Sequence, residues 1–372
     1  MNPRNVRSLP ALFVMAVFIG NVAVYEAPAD RAGFIGLSPD GRRFVVGPEG
    51  APFTPWGFNY DHDAEGLLLE DYWDRDWSRV EEDFHEMKAL GANVVRIHLQ
   101  FGKFMDAADT PNNAALARLA DLLTTAEQTG LYLDLTGLGC YHKKDVPAWY
   151  DAMSEKDRWD AQAQFWQAVA QTCAASPAVF CYDLMNEPVL PGADKKETEW
   201  LLGELGGKYF VQRISLDLAG RSRQVVAKAW VDHLVAAIRG HDRRHLITVG
   251  VIPWAHVFPN AKPLFYAPDV GRNLDFVSVH FYPESGQVDK ALTALKVYDV
   301  GKPIVIEEMF PLKCSVDELR EFILASREVA EGWISFYWGK RTDEYTAEDG
   351  IGGAITKGWL SRFKEIGPEI LD

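Results

Sequence analysis

From Pro55 to Trp338 the chain repeats one pattern of apolar and polar positions: a short run rich in β-branched and aromatic residues, a polar loop, then apolar residues three and four apart. The runs at 56–60, 93–98, 131–136, 179–185, 246–251, 276–280, 303–308 and 333–338 predict eight strands. Between them the helical stripes carry their own start and stop signals. Ser78 and Glu81 have capping-box spacing ahead of Val80, Phe84, Met87 and Leu90, and Gly91 supplies the stop. Leu116, Leu119, Leu123 and Ala126 run to Gly130; Val226, Trp230, Leu234 and Ala237 run to Gly240; Ser315 with Glu318 opens another box. Between the fifth and sixth strands the sequence is rich in Pro and Gly and predicts no long helix.

Alternating strand and helix units imply a parallel sheet with right-handed crossovers, and eight units close most naturally into a (β/α)8 TIM barrel of the α/β class. A doubly wound open sheet is the alternative, but no glycine-rich fingerprint follows the first strand. Ahead of the units, residues 33–46 alternate around Pro39-Asp40-Gly41, which predicts a small β-hairpin cover within residues 28–50. Residues 51–372 then form one domain. The longest insertions, 61–77 after the first strand and 188–221 after the fourth, belong on the C-terminal face, where barrels of this kind keep their chemistry.

Charge and the N-terminus refine this picture. The net charge of −15 argues against a nucleic-acid partner and suits a neutral ligand that needs no electrostatic steering. Arg4 and Arg7 precede an apolar run at 9–24, which is shorter than the roughly 20 residues a bilayer span needs. That pattern predicts a signal peptide over about residues 1–27 and a secreted or periplasmic protein, with an uncleaved membrane anchor as the alternative and no further membrane partner. Export permits disulfides among Cys140, Cys173, Cys181 and Cys314. Cys173 and Cys181 flank a helix-to-strand turn that a short bridge would fit, and free buried thiols fit as well. Nothing in the chain calls for an oligomer, so a monomer is expected.

Polar residues gather at the predicted strand ends: Arg96 and His98, Asp134, Asn186 and Glu187, His280 and Tyr282, Glu307 and Glu308, with Trp338 beside them. Glu187 ends the fourth strand and Glu308 the seventh, so their carboxylates can meet across the barrel mouth. Two carboxylates on one cleft are what glycosidic cleavage requires, one to protonate the departing oxygen and one to attack or to activate water. The Asp61-His62-Asp63 loop raises a metal-dependent barrel hydrolase as an alternative, which leaves the second carboxylate unexplained. A carbohydrate-binding pseudoenzyme is the other alternative, and the presence of both carboxylates counts against it. Twelve Trp residues divide between helical stripes (Trp159, Trp166, Trp230) and strand-end loops (Trp73, Trp77, Trp149, Trp200, Trp254), where stacking on sugar faces is expected.

Asn186-Glu187-Pro188 at the end of FCYDLM, with NVVRIH at 93–98, VHFYP at 279–283, KPIVIEE at 302–308 and FYWG at 336–339, resembles glycoside hydrolase family 5, the cellulase-like retaining barrel glycosidases. The resemblance implies hydrolysis of a β-linked glycan or oligosaccharide by double displacement without metal or organic cofactor. Glu187 would be the acid/base and Glu308 the nucleophile. It further implies substrate-site roles for Arg96 and Tyr282 against the nucleophile, Asn186 at the sugar 2-hydroxyl, His280 near the acid/base and Trp338 under the ring being cleaved. Strand alternation sends Glu307 and Glu308 to opposite faces, and the family pattern favours the second of the pair. Two departures stand out: Thr136 occupies a third-strand position where many members carry histidine, with His142 six residues on as a candidate to replace it or as a structural histidine, and Met309-Phe310 follows the nucleophile.

Overall fold

The computed structural model describes residues 33–371, which form one compact unit; the predicted signal segment lies outside the described residues. Eight parallel strands close a barrel: β1 (Trp56–Asn59), β2 (Val94–Gln100), β3 (Tyr132–Gly139), β4 (Val179–Asp183), β5 in two pieces (Leu246–Thr248 and Gly250–Val251), β6 (Val277–His280), β7 (Ile304–Glu308) and β8 (Gly332–Phe336). The first piece of β5 pairs with β4 and the second with β6, so the step at Val249 closes the ring, while β8 pairs with β1. All eight strands match the expected runs. β2 and β3 extend two and three residues further, because their ends continue into the loops that shape the mouth.

The outer layer is α1 (Trp77–Ala89), α2 (Asn113–Thr129), α3 (Glu155–Cys173), α4 (Arg223–Arg239), α5 (Trp254–Val257), α6 (Val288–Leu295), α7 (Val316–Ser326) and α8 (Gly350–Leu371). As the Pro/Gly-rich stretch implies, α5 is a single turn. The predicted stripe residues Val80, Phe84, Met87, Leu119, Leu123, Val226, Trp230 and Leu234 are buried against the strands. Ser315 and Glu318 form the expected capping box of α7. The box predicted at Ser78 is not formed: α1 begins one residue earlier, and the Ser78 hydroxyl bonds Asp76. Gly130 closes α2 in the left-handed conformation. No helix of the described residues is long and apolar enough to cross a membrane. All four cysteines are free thiols, three of them buried, so the Cys173–Cys181 bridge is absent.

The N-terminal hairpin is present (Ile35–Leu37 with Phe44–Val46), and a third antiparallel strand, Ala51–Phe53, joins it beyond the expected boundary at 50. This sheet plugs the N-terminal mouth of the barrel. Phe44 meets Phe180 and Phe276 edge-on, each at 5.2 Å, among Val94, Leu246, Val305 and Ile334, all near the beginnings of barrel strands. The insertion after β4 folds into a small sheet in which Leu201–Leu205 and Lys208–Arg213 form a hairpin and Pro188–Val189 pairs alongside. Gln212 donates to the Leu138 carbonyl and the Tyr209 amide to the Tyr141 carbonyl, so the sheet leans over the C-terminal end of β3, as placed from sequence.

Truncating Phe44 to alanine leaves a void in a plug that cannot collapse around it, and should cost about 3–5 kcal/mol. Urea unfolding of Phe44→Ala measures this; a loss below about 1 kcal/mol would show that the sheet is a loose appendage.

Candidate active site

The site is assembled around one guanidinium. Arg96, on β2, points into the barrel lumen and is fully buried. Its Nη1 donates to Glu308 Oε1 at 2.7 Å and Asn59 Oδ1 at 2.9 Å; its Nη2 donates to Asp183 Oδ2 at 2.8 Å and Asn186 Oδ1 at 2.9 Å, with Glu307 Oε2 at 3.4 Å. A buried charge is tolerated only when paired and hydrogen-bonded. Burial works against the charge on Arg96, and the carboxylates of Glu307, Asp183 and Glu308 outweigh it, holding the guanidinium protonated.

Both members of the Glu307-Glu308 pair reach this guanidinium, contrary to the alternation expected on a regular strand. The pairing of β6 with β7 slips between Val279 and His280, so that His280 lies opposite Glu308 and Glu307 is left unpaired. Such a bulge re-aims side chains, and here it turns two successive carboxylates toward the lumen. They occupy different depths. Glu307 is wholly buried, whereas Glu308 is partly open to the mouth and receives a second hydrogen bond, 2.6 Å, from the Tyr282 hydroxyl.

Glu187 approaches from the other side. Its backbone has φ 48°, an uncommon conformation for a residue with a side chain, and its amide donates to the Gly250 carbonyl at 3.0 Å. This turns the chain sharply at the end of β4 and presents the carboxylate to His280, whose Nδ1 is 2.9 Å from Glu187 Oε1 and 3.5 Å from Glu308 Oε2. The His280 Nε2 faces Glu307 Oε2 at 3.2 Å. Burial alone would discourage a charge on this imidazole, but Glu308, Glu187 and Glu307 around it raise its pKa to about 10. Glu187, His280 and Glu308 offer three donor atoms within 4.8 Å of one another, which is also a metal-like grouping. An imidazolium with both nitrogens directed at carboxylates has no lone pair to give, so the set is suited to holding a proton.

Beneath the mouth lies a second layer. Burial, with Glu307 close by, pushes Asp134 well up, while Arg96 and His280 overcome the burial of Glu307 and bring it down to about 2. Asp134 and Glu307 face each other, with the Cys181 thiol also at Asp134, and a proton carried by Asp134 and shared with Glu307 satisfies both. Burial and Glu307 likewise raise Asp183 to about 6, and it accepts from Thr136 and from the Gly250 amide as well as from Arg96. Gly250 is required here: a Cβ would lie 2.4 Å from Glu307 Oε2 and 2.8 Å from His280 Nε2.

The other expected residues are distributed unevenly. Trp338 is stacked on Phe336 at 5.2 Å and flanked by His62 and Phe310, and Phe336 in turn stacks on the Tyr282 that holds Glu308. Asn186 directs its amide to the Phe210 carbonyl of the inserted hairpin at 2.8 Å. His142 is not brought to this group; the chain turns away at Tyr141, and His142 lines a separate cleft with Gln100 and Asp145. The third-strand position is held by Thr136, and the nearby imidazole is His98, kept neutral by burial and by Arg96 and bonded to Tyr141 and Asn59. Trp254 is exposed on α5, on the Glu187 flank. Trp73 and Trp200 are buried, which removes them as sugar platforms: Trp200 serves as a cation-π partner of Arg158. Asn59 and Asp183 were not singled out from sequence, although an Asp inside an otherwise apolar strand is itself a signal.

Because the His280 pKa is raised from 6.5 to about 10, its contribution to stability is complete below pH 6.5 and lost as pH climbs through about 10. The stability gap between the parent and His280→Gln should therefore be widest near pH 6 and narrow progressively toward pH 10 and above. Urea unfolding across this range measures it; a gap independent of pH would contradict the charged state.

The cellulase family (glycosyl hydrolase family 5) matches residues 48–314. No curated protein matches the chain in sequence. Among solved structures, the chain is similar to the exo-β-1,4-mannosidase Op5Man5 from Opitutaceae bacterium strain TAV5, with TM-score 0.66 and 18% identity over 90% of this chain and 62% of that one. It is also similar to a β-1,4-mannanase from the sea hare Aplysia kurodai (TM-score 0.60, 15% identity, 89% and 97% covered). The catalytic domain of Thermobifida fusca endoglucanase Cel5A gives TM-score 0.57 at 17% identity, with 90% and 98% covered. The chain thus spans about three fifths of the mannosidase and nearly all of the other two. With the barrel, the paired carboxylates and the family match over most of its length, the chain belongs to glycoside hydrolase family 5, the cellulase family of retaining glycosidases that act on β-linked glycans.

Proposed function

We propose that Glu308 is the nucleophile and Glu187 the general acid and base in the double-displacement hydrolysis of a β-linked glycan. One observation carries the reading: oxygens of the two carboxylates lie within 4.8 Å of each other at the mouth, the short separation of a pair in which one carboxylate attacks directly, below that which inverting enzymes keep for a water behind the anomeric carbon. Glu308 attacks the anomeric carbon as the bond to the leaving oxygen breaks and Glu187 delivers its proton there. Water, deprotonated by Glu187, then releases the sugar from Glu308. Arg96 and Tyr282 address separate oxygens of Glu308 and so fix the direction of attack. The greater depth of Glu307 supports Glu308 over it as the nucleophile.

Asn186 uses its carbonyl on Arg96 and one amide hydrogen on Phe210; the second amide hydrogen remains for the sugar 2-hydroxyl. Trp338 supports the ring being cleaved. The same proposal has the enzyme exported and acting as a monomer without a metal, supported for export by the apolar run at 9–24 behind Arg4 and Arg7.

Glu187→Gln and Glu308→Gln should each lower turnover of an aryl β-glycoside by about a thousandfold or more while leaving the unfolding midpoint close to the parent's; near-parental activity in either would sink the assignment. Proton NMR of the first-formed product should show retained configuration, and an inverted anomer would remove Glu308 as nucleophile. EDTA should leave the rate unchanged; loss of activity that a divalent ion restores would move the reading to metal-dependent hydrolysis.

A further inference from the structure

The two flanks of the carboxylate pair differ in chemistry. On the Glu308 side Tyr282, Phe310, Phe336 and Trp338 form an uncharged aromatic surface. On the Glu187 side the chain runs directly into a cavity of about 690 Å³, bounded by Pro188 and Val189 after Glu187 and by Val251 and Ile252 after Gly250. Trp254 and Phe258 stand over it, stacked at 6.2 Å and 42% and 58% exposed. Large aromatic faces left open to water beside a cleft ask for a ligand.

The charge of this cavity runs against that of the whole molecule. Lys195, Arg223 and Lys262 line it and no acid does, in a chain of net charge −15. All three are exposed. Neighbouring cations are neutralised: Lys196 pairs with Asp217, Arg213 with Glu197 and Arg221 with Glu155. Among the described residues none of the three lining cations stands in an ion pair. Three unpaired cations converging on an apolar platform form a site for a ring with an apolar face and a negative charge.

We infer that this cavity receives the leaving-group side of the substrate and that the sugar bound there is a uronic acid. The inference rests on Glu187 being the proton donor, since the departing oxygen must lie at that carboxyl and the unit it carries must lie beyond it. The ring face rests on Trp254, and the carboxylate meets Arg223 and the two lysines, of which the guanidinium can engage both carboxylate oxygens. The enzyme therefore cuts an acidic β-glycan at a position where the sugar following the scissile bond is charged and the sugar preceding it is neutral.

The test compares two β-1,4-linked disaccharides that differ only in the reducing-end ring, glucose in one and glucuronic acid in the other. They are titrated calorimetrically into the full chain carrying Glu308→Gln, so that turnover does not consume them. At low ionic strength the acidic disaccharide should bind about tenfold more tightly or better, and the advantage should contract in high salt. It should vanish in the added triple variant Lys195→Gln, Arg223→Gln, Lys262→Gln, with the melting curve unchanged as the check on folding. Equal affinities, or a preference that the triple variant retains, would overturn the inference. Hydrolysis of a neutral aryl β-glycoside by the unsubstituted chain separates the two readings. Hydrolysis without a uronate preference removes the cavity assignment and keeps the catalytic one; a uronate preference without any hydrolysis removes the catalytic reading and, with it, the leaving-group role of the cavity.

Discussion

Everything at the barrel mouth depends on the burial of one positive charge. A guanidinium removed from water without compensation would unfold the lumen, so Arg96 imposes its needs on residues from β1, β4 and β7. Asn59, Asp183, Asn186, Glu307 and Glu308 all answer to it. Because each of these strands delivers an acceptor to the same planar fork, the position of one carboxylate is not free to vary independently of the others. The geometry of the reacting pair is thus a by-product of satisfying a buried ion, with His280 repeating the arrangement at the next position around the ring.

The architecture was legible in the sequence because it is periodic. Eight apolar runs, their helical stripes and the glycine stops after Leu90 and Thr129 are local signals, and each had a single structural meaning. The approach of Glu187 to Glu308 also followed from strand order. What the sequence did not disclose was non-local. The bulge that turns both Glu307 and Glu308 inward depends on how β6 registers against β7, and apolar residues on both faces of the strand hide it. His142 looked like a replacement for a missing histidine, yet the Tyr209 amide on the Tyr141 carbonyl helps hold the chain where it has turned away. Trp73 and Trp200 are in loops by sequence and buried by packing, because the insertions around them fold into structure of their own. The Ser78 box failed for a smaller reason: the helix starts at Trp77, so Ser78 lies inside its first turn and its hydroxyl donates back to Asp76 at the N-cap.

Charge patterning carries a related lesson. The total of −15 is a property of the whole surface and argued for a neutral ligand, whereas recognition depends on the few groups that line a cleft. Lys195, Arg223 and Lys262 come from the inserted segment, the start of α4 and the loop after α5, so no stretch of sequence shows them as a cluster. The short α5 matters to this: a full-length helix there would withdraw Trp254 and Phe258 into the outer layer, and a single turn leaves them at the rim.

The aromatic plug at the opposite end has a consequence for protons. Phe44, Phe180 and Phe276 close the N-terminal mouth, so among the described residues the lumen that holds Asp134, Asp183, Glu307 and His280 opens at the end that a sugar must occupy. Once the substrate sits there, the cluster is cut off from solvent. Its protons can then exchange with solvent only after the leaving group has gone and water has entered for the second displacement, so each displacement starts from the charge the cluster held when the mouth was last open.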